Sequence, residues 1–118
     1  MKVITLLPVK NEAWILPYTL ENFSQFSDHI IVADQHSTDG SLEIYKRFPK
    51  VLVFNNDFSG HSNKIRWDLL KEARKIPGNN LIICLDADEL LSPKAVEIMR
   101  QSASEEAVSF HADWIQLI

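Results

Sequence analysis

Four short apolar runs, separated by segments with helical periodicity, constrain this sequence more than any other feature. The runs occupy residues 3–7, 30–33, 51–54 and 81–85 and consist mostly of leucine and β-branched residues. Runs of this length and composition are typical of strands that are buried on both faces. A weaker apolar run at residues 107–110 is a candidate fifth strand.

The segments between the runs carry apolar residues three or four positions apart, which is the spacing of an amphipathic helix. These residues are Leu16, Leu20, Phe23, Ile65, Leu69, Ala73 and Ile76. A shorter helix is expected at residues 41–48, and Ser92 followed by Pro93 predicts the start of a fourth helix. This alternation predicts an α/β fold with a mostly parallel sheet, helices on both faces and right-handed crossovers.

Length, charge and hydropathy narrow the class of protein. The 118 residues are expected to form one domain. There are 12 Lys and Arg against 16 Asp and Glu, a net charge of -4, which argues against a general nucleic-acid binder with a basic patch. No apolar run approaches the ~18 residues of a membrane helix. The N-terminus is too quickly polar for a signal peptide, so we expect a cytoplasmic protein.

Three residues with distinctive side chains are expected to have structural roles. Cys84 is the single cysteine, which excludes an internal disulfide and a cysteine-based zinc site. It falls in a predicted buried strand, where a thiol behaves as a small hydrophobic group. Trp14 and Trp67 fall in or near predicted helices, and we expect them to pack there rather than to form platforms for a sugar.

Polar residues follow each predicted strand, at residues 8–12, 34–41, 55–57 and 86–89. In an open parallel sheet, ligands bind outside the carboxyl ends of the strands. Asp34 and Asp86 each come directly after an apolar run, which indicates a binding edge more strongly than polar loops alone would. The sequence therefore predicts a ligand site at this edge.

Asp86 and Asp88 form the sharpest pattern at this edge. Two carboxylates two positions apart point the same way in extended backbone, and such hard oxygen ligands suit Mg²⁺ or Mn²⁺. A metal held there can bridge a diphosphate and neutralise charge on a leaving phosphate. The three glycines, Gly40, Gly60 and Gly78, form no phosphate-binding loop, so classical dinucleotide binding and P-loop chemistry are not expected.

Three segments together resemble the family 2 glycosyltransferases. Residues 3–12 resemble the opening of that family and contain "KNE", residues 30–41 resemble its second strand and its "D-x-x-S-T-D-G-S" turn, and residues 81–89 resemble its metal-binding "LDADE". The nearest subgroup is the one found among lipopolysaccharide-core and related sugar transferases. The resemblance covers roughly residues 2–100, and the motifs occur in the family's order.

The resemblance implies a Rossmann-like GT-A fold and a nucleotide-diphosphate-sugar donor, with Mn²⁺ or Mg²⁺ as cofactor. It implies contacts to the nucleotide from Pro8, Lys10 and Glu12, with Asp34 beside the base. It also implies that Asp88 coordinates the metal, and that Asp86 contacts the ribose or assists at the metal.

The sequence departs from the family pattern at two binding positions. Gln35 stands where the family often has a second acid, and an amide both donates and accepts hydrogen bonds, so the base preference stays open. Ser62 stands where the family often has an arginine that meets the diphosphate. Lys64 or Arg66 is expected to serve instead, although lysine is a point charge rather than a bidentate fork.

The acceptor-binding half of the family follows the metal motif and carries the catalytic base. We expect this chain to be the donor-binding part, with that half and its base missing. The remaining acids lie in no matching motif; they are Glu89, Glu97, Glu105, Glu106 and Asp113. The acceptor, a saccharide or a lipid-linked saccharide, is therefore not identified.

Alternatives to a glycosyltransferase stay open on the sequence alone. The main one is a non-catalytic nucleotide-binding or assembly module with the same fold. A sugar-phosphate nucleotidyltransferase would need a glycine-rich loop after the first strand, and a phosphoacceptor signalling domain would need paired acids there; residues 8–12 provide neither, so these two classes do not fit. Trp114 and the apolar residues after it suggest a surface for a second copy of the chain or another partner. Peripheral contact with a membrane also stays open.

Overall fold

The computed structural model describes residues 1–55 and 63–103. Two predictions fall outside these residues: the fifth strand at residues 107–110 and the apolar tail that begins at Trp114. Ser62, which stands where the family often has an arginine, falls outside them as well.

Strands and helices alternate along the described chain as predicted. The elements are β1 (Val3–Val9), α1 (Leu16–Ser24), β2 (His29–Asp34), α2 (Ser41–Tyr45), β3 (Val51–Asn55), α3 (Asn63–Ala73), β4 (Leu81–Cys84) and α4 (Pro93–Ser102). The strands form one parallel sheet in the order β3-β2-β1-β4. The predicted α/β class and parallel sheet are therefore confirmed.

Two apolar layers cover the two faces of the sheet. On one face, Val3 and Leu7 of β1 pack with Leu20 and Phe23 of α1. On the other face, Ile4 of β1 packs in a cluster with residues of α3, including Ile65, Leu69 and Ala73. Because successive side chains of a strand point to opposite faces, β1 serves both layers. The predicted placement of helices on both faces is confirmed.

The prediction that all four strands are buried on both faces is wrong for the two edge strands. Leu52 and Val53 of β3 are 49% and 42% exposed, and Cys84 of β4 is exposed as well. The central strands β1 and β2 carry the contacts with α3, so the covering layers are thickest over the middle of the sheet. Apolar composition alone did not separate central strands from edge strands.

The strand order creates a reversal beside β1. The chain moves outward from β1 to β2 and β3, then crosses to the other side of β1 to form β4. In open parallel sheets, ligands bind in the crevice outside the carboxyl ends of the strands at such a reversal. A ligand is therefore expected to bind near the residues that follow β1 and its two neighbours, β2 and β4.

Within residues 1–55 and 63–103, no helix has the length and apolar character needed to cross a membrane.

Candidate functional site

The residues that follow β1, β2 and β4 meet at one edge of the sheet. Val9 at the end of β1 pairs in register with Asp34 at the end of β2, and the backbone N–H of Gln35 donates to the carbonyl of Val9 at 2.8 Å. On the other side of β1, the N–H of Leu85 donates to the carbonyl of Leu6 at 3.1 Å. Asp86 follows at once, so the predicted acids lie at the same edge.

Hydrogen bonds tie the loop after β1 to the loop after β2. Asn11 has a φ of 52°; its N–H donates to Ser37 Oγ at 2.9 Å, and its Oδ1 accepts the N–H of Thr38 at 2.7 Å. The N–H of Ala13 donates to Asp39 Oδ2 at 2.9 Å. We call these five residues the loop brace. It fixes the position of Lys10 and Glu12 relative to the end of β2.

Asp39 also contacts Ser41, the first residue of α2. Its Oδ1 accepts the hydroxyl of Ser41 at 2.6 Å and the N–H of Ser41 at 3.1 Å. Gly40 between them has a φ of 93°, a conformation that favours glycine. The hydrogen bond from the Ser41 hydroxyl, followed by that from the Ala13 N–H, holds the pKa of Asp39 below its usual value. This carboxylate therefore joins the loop brace to the helix.

Asp34 is buried at the end of β2, with 6% of its surface exposed. Its Oδ1 accepts the hydroxyl of Tyr45 at 2.7 Å, and its Oδ2 accepts the N–H of Ser37 at 3.0 Å. Burial, followed by the hydrogen bond to Asp34, raises the pKa of Tyr45 well above its ordinary value. Tyr45 therefore stays a neutral hydroxyl donor in this contact.

Sequence reasoning missed Tyr45. Apolar spacing predicts the helix at residues 41–48 and does not distinguish Tyr45 from the other large side chains that are buried there. The available indication was that a buried tyrosine usually finds a partner for its hydroxyl, and the nearest predicted loop carries acids.

The acids after β4 lie on a tight turn. The N–H of Glu89 donates to the carbonyl of Asp86 at 3.1 Å, and the N–H of Asp86 donates to Glu89 Oε1 at 2.6 Å. Ala87 is buried, whereas Asp86 and Asp88 on either side of it are exposed. The turn thus presents both aspartates to solvent.

The two aspartates of this turn differ in their partners. Arg66 Nη2 of α3 donates to Asp86 Oδ1 at 2.6 Å. Within residues 1–55 and 63–103, no side chain or backbone group donates to the carboxylate of Asp88. Asp88 is therefore the more accessible acceptor of the two.

Glu89 adds a third acid to the turn. Partial burial raises its pKa, and the negative charges of Asp86 and Asp88 raise it further, while the hydrogen bond from the Asp86 N–H lowers it. In the described ranges 1–55 and 63–103, no three or more Asp, Glu, His or Cys side chains are arranged to hold a metal by themselves. The turn offers hard oxygen donors, but it is not a closed protein cage.

The remaining predicted site residues lie at the same edge or close to it. Pro8 is half-buried within β1, Lys10 is exposed just beyond it, and Gln35 is half-buried just beyond β2. Lys64 is exposed in the first turn of α3. Because α3 follows β3, its first turn starts at the carboxyl edge, and the contact between Arg66 and Asp86 confirms that this turn reaches the site.

The prediction that the two tryptophans pack against helices is wrong. Trp14 and Trp67 are 69% and 59% exposed. Trp14 Nε1 donates to Glu12 Oε2 at 2.8 Å, so the predicted nucleotide contact Glu12 is engaged with the indole in this structure. Trp67 precedes the buried residue Leu69 by two positions, which turns its indole to the outer side of α3.

Comparisons with known proteins bear on the fold and the family separately. The chain is similar in structure to S. aureus TarS, as a 1-349 fragment, with a TM-score of 0.69, 20% identity and coverage of 86% of this chain and 32% of that chain. A second TarS structure gives the same score and identity and 19% coverage of its chain. This chain thus spans 32% of the TarS 1-349 chain and 19% of the second TarS chain. A comparison with curated protein sequences gives no match.

The likeness in structure confirms the GT-A fold that the resemblance implied. The family is shown by the sequence itself, which matches Glycosyl transferase family 2 over residues 5–116. That span includes every residue named above at the carboxyl edge. The chain belongs to glycosyl transferase family 2.

Proposed function

We propose that this chain binds a nucleotide-diphosphate sugar together with a divalent cation, as the donor-binding part of a glycosyltransferase. The observation that carries the proposal is the convergence of Lys10, Asp34, Asp86 and Asp88 at the strand reversal beside β1. Membership of the family supports glycosyl transfer as the reaction. The roles below are assigned to the residues of this edge.

The end of β2 receives the nucleobase. Asp34 keeps acceptor capacity, because a carboxylate has about four lone-pair sites and two hydrogen bonds are made within the protein. Gln35 stands beside it with an amide that both donates and accepts. Pro8 of β1 and Lys10 just beyond that strand flank the nucleotide, and Glu12 reaches it after exchanging its contact with Trp14.

The turn after β4 holds the cation, which is Mn²⁺ or Mg²⁺. Mg²⁺ in proteins is commonly held by one or two carboxylates, with water and substrate phosphates as the other ligands. Asp88, which is exposed and has no described donor, fits that role, and Asp86 stands beside it. When bound, the cation supplies charge neutralisation to the departing diphosphate.

The first turn of α3 meets the diphosphate. Arg66 already lies at the site through its contact with Asp86, and Lys64 lies two positions before it. A guanidinium can grip phosphate oxygens in a bidentate manner, whereas an ammonium acts as a point charge. We assign both side chains, the Lys64 ammonium and the Arg66 guanidinium, to diphosphate binding. The acceptor, a saccharide or lipid-linked saccharide, binds outside the contacts described above.

Calorimetric titration with UDP, GDP, CDP and ADP tests the proposal. We expect at least one of these diphosphates to bind more tightly with Mn²⁺ than with EDTA, because a cation held by Asp88 would neutralise part of the negative charge of the diphosphate. Uridine and guanosine serve as controls that lack phosphate. If none of the four diphosphates binds in either condition, the proposed site is wrong.

A further inference from the structure

The structure assigns to Tyr45 a role that the sequence did not suggest: we infer that it is a positioning residue that orients the Asp34 carboxylate towards the nucleobase. The inference rests on the proposed function, because it concerns the same nucleotide site. It goes further by assigning how one contact with the base is oriented.

Burial gives the contact between these residues a fixed geometry. Tyr45 is 3% exposed and Asp34 is 6% exposed, and the hydroxyl of Tyr45 donates to Asp34 Oδ1 at 2.7 Å. A hydrogen bond to a charged group in a buried setting is stronger than one between neutral groups. The plane of the carboxylate is therefore held from α2.

A second donor holds the other oxygen of Asp34. The N–H of Ser37 donates to Oδ2 at 3.0 Å. Each carboxylate oxygen thus accepts one hydrogen bond within the protein, and the two together fix the orientation of the carboxylate. Each oxygen keeps a further lone pair. An N–H group on the pairing edge of a base can therefore donate to Asp34 only in the direction set by the two hydrogen bonds within the protein.

Ser37 also connects the Asp34 carboxylate to the loop after β1. Its Oγ accepts the N–H of Asn11 at 2.9 Å, while its own N–H donates to Asp34 Oδ2. The orientation of Asp34 is thus coupled through Ser37 to the segment that carries Lys10. Tyr45 lies on α2, outside both loops, so a substitution there changes neither loop sequence.

The test compares Tyr45→Phe with Tyr18→Phe. Phenylalanine keeps the ring and removes only the hydroxyl, and Tyr18 is exposed on α1, which makes it a matched control. We expect Tyr45→Phe to weaken the preferred nucleoside diphosphate by about three- to tenfold, the usual effect of one hydrogen bond. Binding of inorganic pyrophosphate with Mn²⁺, which has no base, should stay within about twofold of the native value, inside the scatter of such effects. Tyr18→Phe should change neither ligand.

A double-mutant cycle shows whether Tyr45 acts through Asp34. In an Asp34→Asn background the effect of Tyr45→Phe on nucleotide affinity should largely disappear, since residues that act through one contact are not additive. Additive losses would overturn the inference, as would equal losses for nucleotide and pyrophosphate, or no loss at all.

A proton NMR measurement on the unmodified chain keeps the inference testable if Tyr45→Phe does not fold. The hydroxyl proton of Tyr45, shielded from solvent by burial, should shift when the nucleoside diphosphate is added and stay in place when pyrophosphate is added. An unchanged resonance at saturating nucleotide would overturn the inference. If the native chain binds no nucleotide, the proposed function fails and this inference fails with it, whereas a nucleotide-binding chain that is indifferent to Tyr45 overturns the inference alone.

Discussion

Asp86 and Asp88 stand two positions apart in the sequence but differ in their surroundings. Asp86 is paired with Arg66, whereas Asp88 has no donor among the described residues. We expect Asp88→Asn to remove most of the Mn²⁺ dependence of nucleotide binding, because an amide oxygen carries no charge to hold a divalent ion. Calorimetry with Mn²⁺ and with EDTA measures this dependence.

Asp86→Asn should act differently at the same site. We expect Asp86 to accept a hydrogen bond from the ribose. Loss of a hydrogen bond to a charged group costs about 1.5 to 3 kcal/mol, so nucleotide affinity should fall while part of the Mn²⁺ effect remains. Glu97→Gln, an exposed change on α4, is the control and should alter neither quantity. If Asp86→Asn abolishes the Mn²⁺ effect and Asp88→Asn spares it, the two assignments are reversed.

Asp39 gives the stability of the chain a dependence on acid pH. Its pKa in the folded chain lies below the ordinary value of 3.8, so its contribution is present above that pH and is lost as the pH falls through the lower folded-state pKa. We expect Asp39→Asn to lower the thermal midpoint at neutral pH, and the gap from the native chain to narrow as the pH falls below 3.8.

Thermal unfolding at a series of acid pH values measures that gap. Glu21→Gln, which changes an exposed acid on α1, is the control and should leave the midpoint nearly unchanged at each pH. A gap for Asp39→Asn that stays constant down to the lowest pH would show that the charge of this residue does not stabilise the loop brace.

At the scale of elements, apolar pattern, with Ser92 and Pro93 for α4, predicted every strand and helix that the structure describes, although α2 ends at Tyr45 rather than at residue 48. β1 and β2 are longer than predicted at their polar ends, where they reach Val9 and Asp34, whereas β4 ends at Cys84, one residue earlier than predicted. Parallel pairing continues there through backbone groups, because Val9 and Asp34 lie opposite each other. Side-chain hydropathy does not report such pairing, so the pattern ended β1 and β2 too early.

The loop brace shows what pattern cannot predict. Its members come from two loops that are about 26 positions apart, as with Asn11 and Ser37, and each is an ordinary loop residue by itself. The resemblance supplied a family role for Asp34, but the partners of its carboxylate became visible only with the fold. Sequence motifs thus identified the edge, and tertiary contacts identified its supports.

Helix α1 should contribute to stability through one face. Phe23 is fully buried in the layer between α1 and the sheet, whereas Tyr18 on the same helix is 69% exposed. We expect Phe23→Ala to destabilise the chain by about 3 to 5 kcal/mol, since truncating a buried aromatic leaves a cavity. Tyr18→Ala should cost no more than about 0.5 kcal/mol. Urea unfolding of both variants measures the difference, and similar losses would contradict the packing of α1.

At the scale of the whole molecule, ligand binding and folding should be coupled across the sheet. The site draws on the ends of β1, β2 and β4 and on the first turn of α3, which are far apart in the sequence. An unfolded chain cannot assemble these groups, so the nucleotide binds the folded state alone. The ligand then stabilises the fold by mass action.

This coupling predicts a measurable rise in the thermal midpoint. A ligand at one hundred times its Kd adds about 2.7 kcal/mol to the free energy of unfolding, which for a chain of this size corresponds to a rise on the order of 10 °C. We expect the preferred nucleoside diphosphate with Mn²⁺ to give the full rise in scanning calorimetry. Asp88→Asn should retain only the part that persists in EDTA, while Glu97→Gln should match the native chain. An unchanged thermal midpoint in the presence of a nucleotide that titration shows to bind would mean that the ligand also binds the unfolded chain. In that case the edge described above would not be its site.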